Sequence, residues 1–91
     1  MAYFVVTYDL NQKDWPDYEK LVDELKQMNS VRFQESCWFV DQNDTARQVL
    51  ERLKVYVHED DKLMVVEFNK RPAWNKALKG TNAWLDQRFP Y

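Results

Sequence analysis

The sequence predicts one small α+β domain whose strands and helices alternate in the order β-α-β-β-α-β. Two observations predict it. Two stretches place apolar residues three and four positions apart, as a helix with one buried face does. Around them lie short runs rich in β-branched and aromatic residues, as strands are. At 91 residues the chain sits just below the usual domain size, so one domain accounts for it.

Each element follows from its residues. The first run, Tyr3-Phe4-Val5-Val6-Thr7-Tyr8, is apolar on both faces: Phe4, Val6 and Tyr8 point one way, Tyr3, Val5 and Thr7 the other. It reads as a central strand covered on each side, ending at Asp9. After a polar loop, Trp15-Pro16 opens a helix, because proline suits a first turn. Tyr18, Leu21, Val22, Leu25 and Met28 form its buried stripe, and Asn29-Ser30 stop it. Val31-Arg32-Phe33-Gln34 and Ser36-Cys37-Trp38-Phe39-Val40 read as two strands, or one bent strand, joined near Glu35. Asp41-Gln42-Asn43-Asp44 reads as a turn. Thr45 with Gln48 fits a capping box for a second helix, whose stripe is Ala46, Val49, Leu50, Leu53, Tyr56 and Val57. His58-Glu59-Asp60-Asp61 is a charged stop, and Lys62-Leu63-Met64-Val65-Val66-Glu67-Phe68 is the last clear strand. This order is the split βαβ, or ferredoxin-like, arrangement: an antiparallel sheet with both helices on one face.

Composition excludes several function classes. The one glycine, Gly80, leaves no glycine-rich phosphate loop. The one cysteine, Cys37, forms no internal disulfide and no cysteine-rich zinc site, and the one histidine, His58, leaves no histidine metal cage. No apolar run approaches the roughly 20 residues of a membrane span. Residues 1–6 lack a basic leader, so the cytoplasm is the expected compartment and no membrane partner is expected. The formal net charge of −2 argues mildly against tight, autonomous nucleic-acid binding. Charge is uneven, however. Residues 1–68 carry 8 Lys and Arg against 14 Asp and Glu, and residues 69–91 carry 5 against 1. We therefore divide the chain into a core, 1–68, and a basic, aromatic C-terminal extension, 69–91. Residues 72–88 read as helical apart from a break at Gly80, with Trp74 and Leu78 on one helical face.

With both helices on one side, the other side of the sheet is left apolar and open. An exposed apolar sheet marks an interface, and a face-to-face homodimer is the expected cover. The alternative is that the C-terminal extension folds under and covers that face itself.

Asp9 is the acid most suited to chemistry. It ends an apolar strand, where loop residues often become functional, and a carboxylate there can ligate Mg²⁺ or transfer protons. The bland alternative is a turn or cap residue. Asp60 and Asp61 read as a solvated helix end, His58 as a surface residue beside it, and Cys37 as packing. In the extension, Lys70, Arg71, Lys76, Lys79 and Arg88 are interleaved with Trp74, Trp84 and Phe89. Cations with stacking rings can bind single-stranded nucleic acid; alternatively, the tryptophans pack on the core and the lysines face water.

Three motifs together resemble the CRISPR-associated protein 2 family. Val6-Thr7-Tyr8-Asp9-Leu10 resembles the hydrophobic strand closing on Tyr-Asp that starts that family. Gln34-Glu35-Ser36-Cys37-Trp38-Phe39 resembles its second signature, and Glu59-Asp60-Asp61-Lys62-Leu63-Met64-Val65 its acidic turn into the fourth strand. The chain also resembles the stand-alone, SinR-like relatives found outside CRISPR loci. The resemblance implies a ferredoxin-like homodimer in which Asp9 is the metal-binding, catalytic aspartate facing its dimer mate. It implies Mg²⁺ as cofactor, and RNA or DNA as substrate of a metal-dependent endonuclease. Ser36 and Phe39 fall in the second motif, with roles mainly structural or near a phosphate. Many members act instead as a scaffold that holds DNA with an integrase, so the alternative is a non-catalytic dimeric module binding a protein or nucleic-acid partner. Members usually continue into a fifth strand that docks on the partner subunit, and the helical reading of residues 72–88 departs from that.

Overall fold

The computed structural model describes residues 2–90; Met1 and Tyr91 lie outside the described residues. Its elements are β1 (Ala2–Asp9), α1 (Tyr18–Lys26), β2 (Val31–Gln34), β3 (Cys37–Gln42), α2 (Ala46–Lys54), β4 (Lys62–Phe68) and α3 (Thr81–Arg88). The four strands form one sheet in the order β2-β3-β1-β4, with every neighbouring pair antiparallel. This is the ferredoxin-like fold that the element order predicts, with a helix added at its C-terminal end.

Both faces of β1 carry apolar side chains, the first covered along its length and the second in part. On the first face, Phe4, Val6 and Tyr8 meet Trp38 and Val40 of β3, and Leu21, Leu25, Met28, Val49 and Leu53 of the two helical stripes close over them. The Trp38 indole donates to the Tyr8 hydroxyl (3.0 Å), so the polar ends of these two buried rings satisfy each other. The capping box at Thr45 and Gln48 forms in both directions, as the sequence predicts. An ion pair from Arg52 to Glu24 ties α2 to α1. The first helix starts at Tyr18, later than the Trp15-Pro16 start that the sequence predicts. Residues 15–17 form a turn instead, with the Trp15 indole donating to the Tyr56 carbonyl across the loop (3.1 Å).

The second face corrects the expectation of an open apolar sheet. Directly opposed residues of an antiparallel pair lie on the same face, so the ladder places Tyr3, Val5 and Thr7 beside Phe68, Val66 and Met64 of β4 and beside Asp41, Phe39 and Cys37 of β3. The α3 helix packs on one half of this surface, where Trp84 and Leu85 form a second core with Phe39, Tyr3, Phe33 and Phe68. The chain supplies this cover itself, because the rings that need burial and the rings that bury them are joined by a short connection. The other half stays uncovered: Met64 is 59% exposed and Val66 47%.

Two further expectations are corrected. Residues 72–80 are not helical; only Thr81–Arg88 is. The Leu78 N–H donates to the Phe33 carbonyl on edge strand β2 (3.0 Å), a bond that the helical alternative would forfeit. Leu78 is thus 46% exposed, and Trp74 and Leu78 do not share a helical face. Asp41 is no turn residue either. It lies in β3, buried, with its carboxylate paired to Arg88 of α3 at 2.8 Å. The same guanidinium lies over the Trp84 ring, 4.2 Å from its centroid, and the Trp84 indole donates to the Asn29 carbonyl (2.9 Å). These bonds fix α3 on the sheet. Among the described residues, no helix is long and apolar enough to cross a membrane.

Candidate functional site

Asp9 ends β1 on the uncovered half of the second face. Its ladder partner is Lys62, the first residue of β4, and both side chains are exposed. A shallow hollow of about 320 Å³ lies here, lined by Thr7, Asp9, Lys62 and Met64 among others. The second motif reaches the same strand end through its backbone. The turn between β2 and β3 brings the Ser36 carbonyl to accept the Tyr8 N–H at 3.1 Å, and the Cys37 thiol bonds the Thr7 hydroxyl at 3.3 Å. The structure therefore brings Asp9 and Ser36 to one end of the sheet. Phe39 is elsewhere: it opposes Val5 and is buried between Phe33, stacked at 4.0 Å, and Trp84, stacked at 5.6 Å. It packs the second core.

The acidic turn before β4 is built for structure. Asp61 accepts from the Asn11 N–H (2.7 Å), the His58 N–H (2.8 Å) and the Tyr18 hydroxyl, joining the loop after β1 to the loop before β4. Partial desolvation pushes its carboxyl up, but these donors, led by Tyr18, together hold it below the ordinary carboxylate value. The Tyr18 phenol moves the other way, raised by desolvation and then by its bond to Asp61. His58 accepts the Asp60 N–H at Nδ1 (3.1 Å) and meets the Trp15 ring edge-on. Sequence reasoning read these residues as a solvated helix end and missed this network. Asn11 and Tyr18 lie 50 and 43 positions from Asp61, and nothing in the local pattern joins them to it.

The cations of the extension separate into two groups. Arg71 pairs with Asp86 at 2.7 Å and donates to the Phe89 carbonyl, and Arg88 pairs with Asp41. Arg88 thus ties the extension to the core, and Arg71 ties the start of the extension to α3. Lys70, Lys76 and Lys79 are exposed, and among the described residues they make no ion pair. Asp41 and Arg88 are the residues whose importance sequence reasoning missed, and only their burial reveals it. Among the described residues, no group of three or more His, Cys, Asp and Glu side chains is placed to hold a metal ion.

The family model for CRISPR associated protein Cas2 matches residues 1–76. The chain belongs to the Cas2 family. The match takes in all three motifs and the whole four-stranded sheet, and it stops before α3. In this Cas2-family chain the surface that α3 covers is thus closed by residues beyond the matched span. No solved structure matches the chain.

Proposed function

We propose that this Cas2-family protein acts as a nucleic-acid-associated homodimer, joined through the uncovered half of the second sheet face, with Asp9 as a metal-binding catalytic carboxylate. The observation that carries the reading is the position of Asp9: exposed, at the end of the central strand, beside the exposed apolar Met64 and Val66 that α3 leaves bare. Apolar side chains on a strand pair favour a partner surface. A two-fold axis through that surface would bring Asp9 of each copy to one interface.

The donor type fits Mg²⁺, which takes hard oxygen ligands and is commonly held by one or two carboxylates together with substrate phosphates and water. Asp9 would be the ligand from each copy, and its exposure leaves room for water and phosphate. When bound, such an ion neutralises charge on a phosphate and polarises a water. Lys62 lies across the ladder from Asp9, and a cation there favours an approaching phosphate. The Ser36 carbonyl holds the last residues of β1 in the sheet, so the strand end is oriented before anything binds.

The test uses labelled RNA and labelled duplex DNA, with Mg²⁺ or Mn²⁺ against chelator, on the wild-type protein and Asp9→Asn. Metal-dependent cleavage that disappears in Asp9→Asn, with sedimentation still dimeric, supports the reading. Undiminished cleavage by Asp9→Asn overturns the role of Asp9. A wild-type dimer that binds nucleic acid and does not cut it supports the non-catalytic scaffold instead. Met64→Glu tests the interface: it should yield monomer, and an unchanged dimer would place the interface elsewhere.

A further inference from the structure

Between β4 and α3, residues 69–80 run from the β4 edge of the sheet to the β2 edge as a strap with neither helix nor strand. The Leu78 N–H pins it to β2. Between strap and sheet is a cavity of about 520 Å³, with Val5, Phe33 and Phe39 supplying apolar lining, Trp74 an indole, and Gln34 and Asn75 amides. A second hollow of about 420 Å³ shares Trp74, Asn75 and Lys76 and adds Lys79 and Asn82. Both volumes suit a ligand of small-molecule size. The Arg71 guanidinium sits 5.4 Å from the Trp74 ring centroid, so the indole is held in place by a side chain that is itself anchored to Asp86.

Three chemistries converge on this strap. Trp74 is half-buried and lines both cavities, so part of its indole is open to a ligand. Gln34, Asn75 and Asn82 each carry an amide that both donates and accepts. Lys70, Lys76 and Lys79 stand exposed, and residues 69–85 contain no acid at all. The core beyond is acidic, so the strap is the part of the surface that attracts an anion. A flat ring with a hydrogen-bonding edge and an attached anion describes a nucleotide.

We propose that the strap cavity takes an unpaired base of a single-stranded nucleic acid, stacked on Trp74, with Lys76 and Lys79 on the flanking phosphates. This rests on the nucleic-acid association proposed above and is independent of Asp9. A base within a duplex is stacked on its neighbours and presents no free face to an indole, so the site selects single strands.

The test is fluorescence anisotropy of the full chain with labelled oligouridine, oligothymidine and a short duplex, over a range of salt concentrations. Trp74→Ala should weaken single-strand binding roughly tenfold, Trp74→Phe should restore most of it, and duplex binding should stay within about twofold. The double variant Lys76→Ala, Lys79→Ala should reduce the slope of log affinity against log salt by about 1.4, at about 0.7 for each phosphate no longer neutralised. Comparing oligouridine with oligothymidine separates RNA from DNA as the source of the base. Single-strand affinity unchanged in Trp74→Ala overturns the strap site, and if wild-type binding persists, the nucleic-acid reading survives it. A wild-type protein that binds no nucleic acid overturns both. Photocrosslinking of bromouridine-labelled strand to the unaltered protein gives an answer that does not depend on a variant's folding. Adducts on Trp74 or Phe33 support the site, and adducts confined to other residues overturn it.

Discussion

Trp84→Ala should undock α3 and expose the second sheet face. The indole is 7% exposed, stacks on Phe39 at 5.6 Å, meets Tyr3 edge-on at 6.2 Å and lies under the Arg88 guanidinium at 4.2 Å. Its N–H also satisfies the Asn29 carbonyl. Truncating a buried tryptophan to alanine costs about 3–5 kcal/mol, which already includes the packing of the ring on its neighbours. Asn29 is exposed, so water takes over the freed carbonyl and adds little. A domain of 91 residues has about 5–14 kcal/mol in total, so the variant loses a large fraction of it. A loss of about 3 kcal/mol corresponds to a fall in Tm of about 12–24 °C for a domain of this size. Urea unfolding followed by circular dichroism at the helix band measures the loss without relying on tryptophan fluorescence. Binding of an apolar dye reports the freed Tyr3, Phe33, Phe39 and Phe68. A loss under about 1 kcal/mol with no gain in dye binding would refute the reasoning, since it would mean that α3 does not cover this face in solution.

Three other outcomes follow from the same geometry. Asp41→Asn weakens the buried pair with Arg88 and should cost about 1.5–3 kcal/mol in equilibrium unfolding, the worth of a hydrogen bond to a charged group. Gly80 precedes α3 at φ 95°, and a Cβ there would meet Val31 at an ordinary 3.5 Å, so Gly80→Ala should cost about 1–2 kcal/mol from backbone strain alone, read by the same unfolding assay. Asp61 has its folded carboxyl depressed, so the stability it contributes is present above its unfolded value and is lost as pH falls through the folded one. Asp61→Asn should therefore lower the urea midpoint at neutral pH, and the gap from wild type should close once both are measured in acid below the folded value.

What could be read from the sequence alone was local in origin. The helical stripes of α1 and α2 repeat within a few turns, the Thr45–Gln48 capping box spans three residues, and the two-sided apolar pattern of β1 announces cover on both faces whatever supplies it. Asp9 was visible for the same reason, as the acid that ends that strand. Gly80 was legible as a break, while its left-handed place before α3, at φ 95°, came only with the fold. Tertiary structure decided what covers the second face, because Trp84 and Leu85 could bury themselves against any apolar surface and the pattern does not say whose. It made residues 72–80 a strap, since a carbonyl on the edge of β2 takes the Leu78 N–H that a helix would have used. It also turned Asp41 and Arg88, 47 positions apart, into one buried pair. A charge in a sequence carries no mark of its partner, and burial, which makes such a pair matter, exists only once the chain has folded.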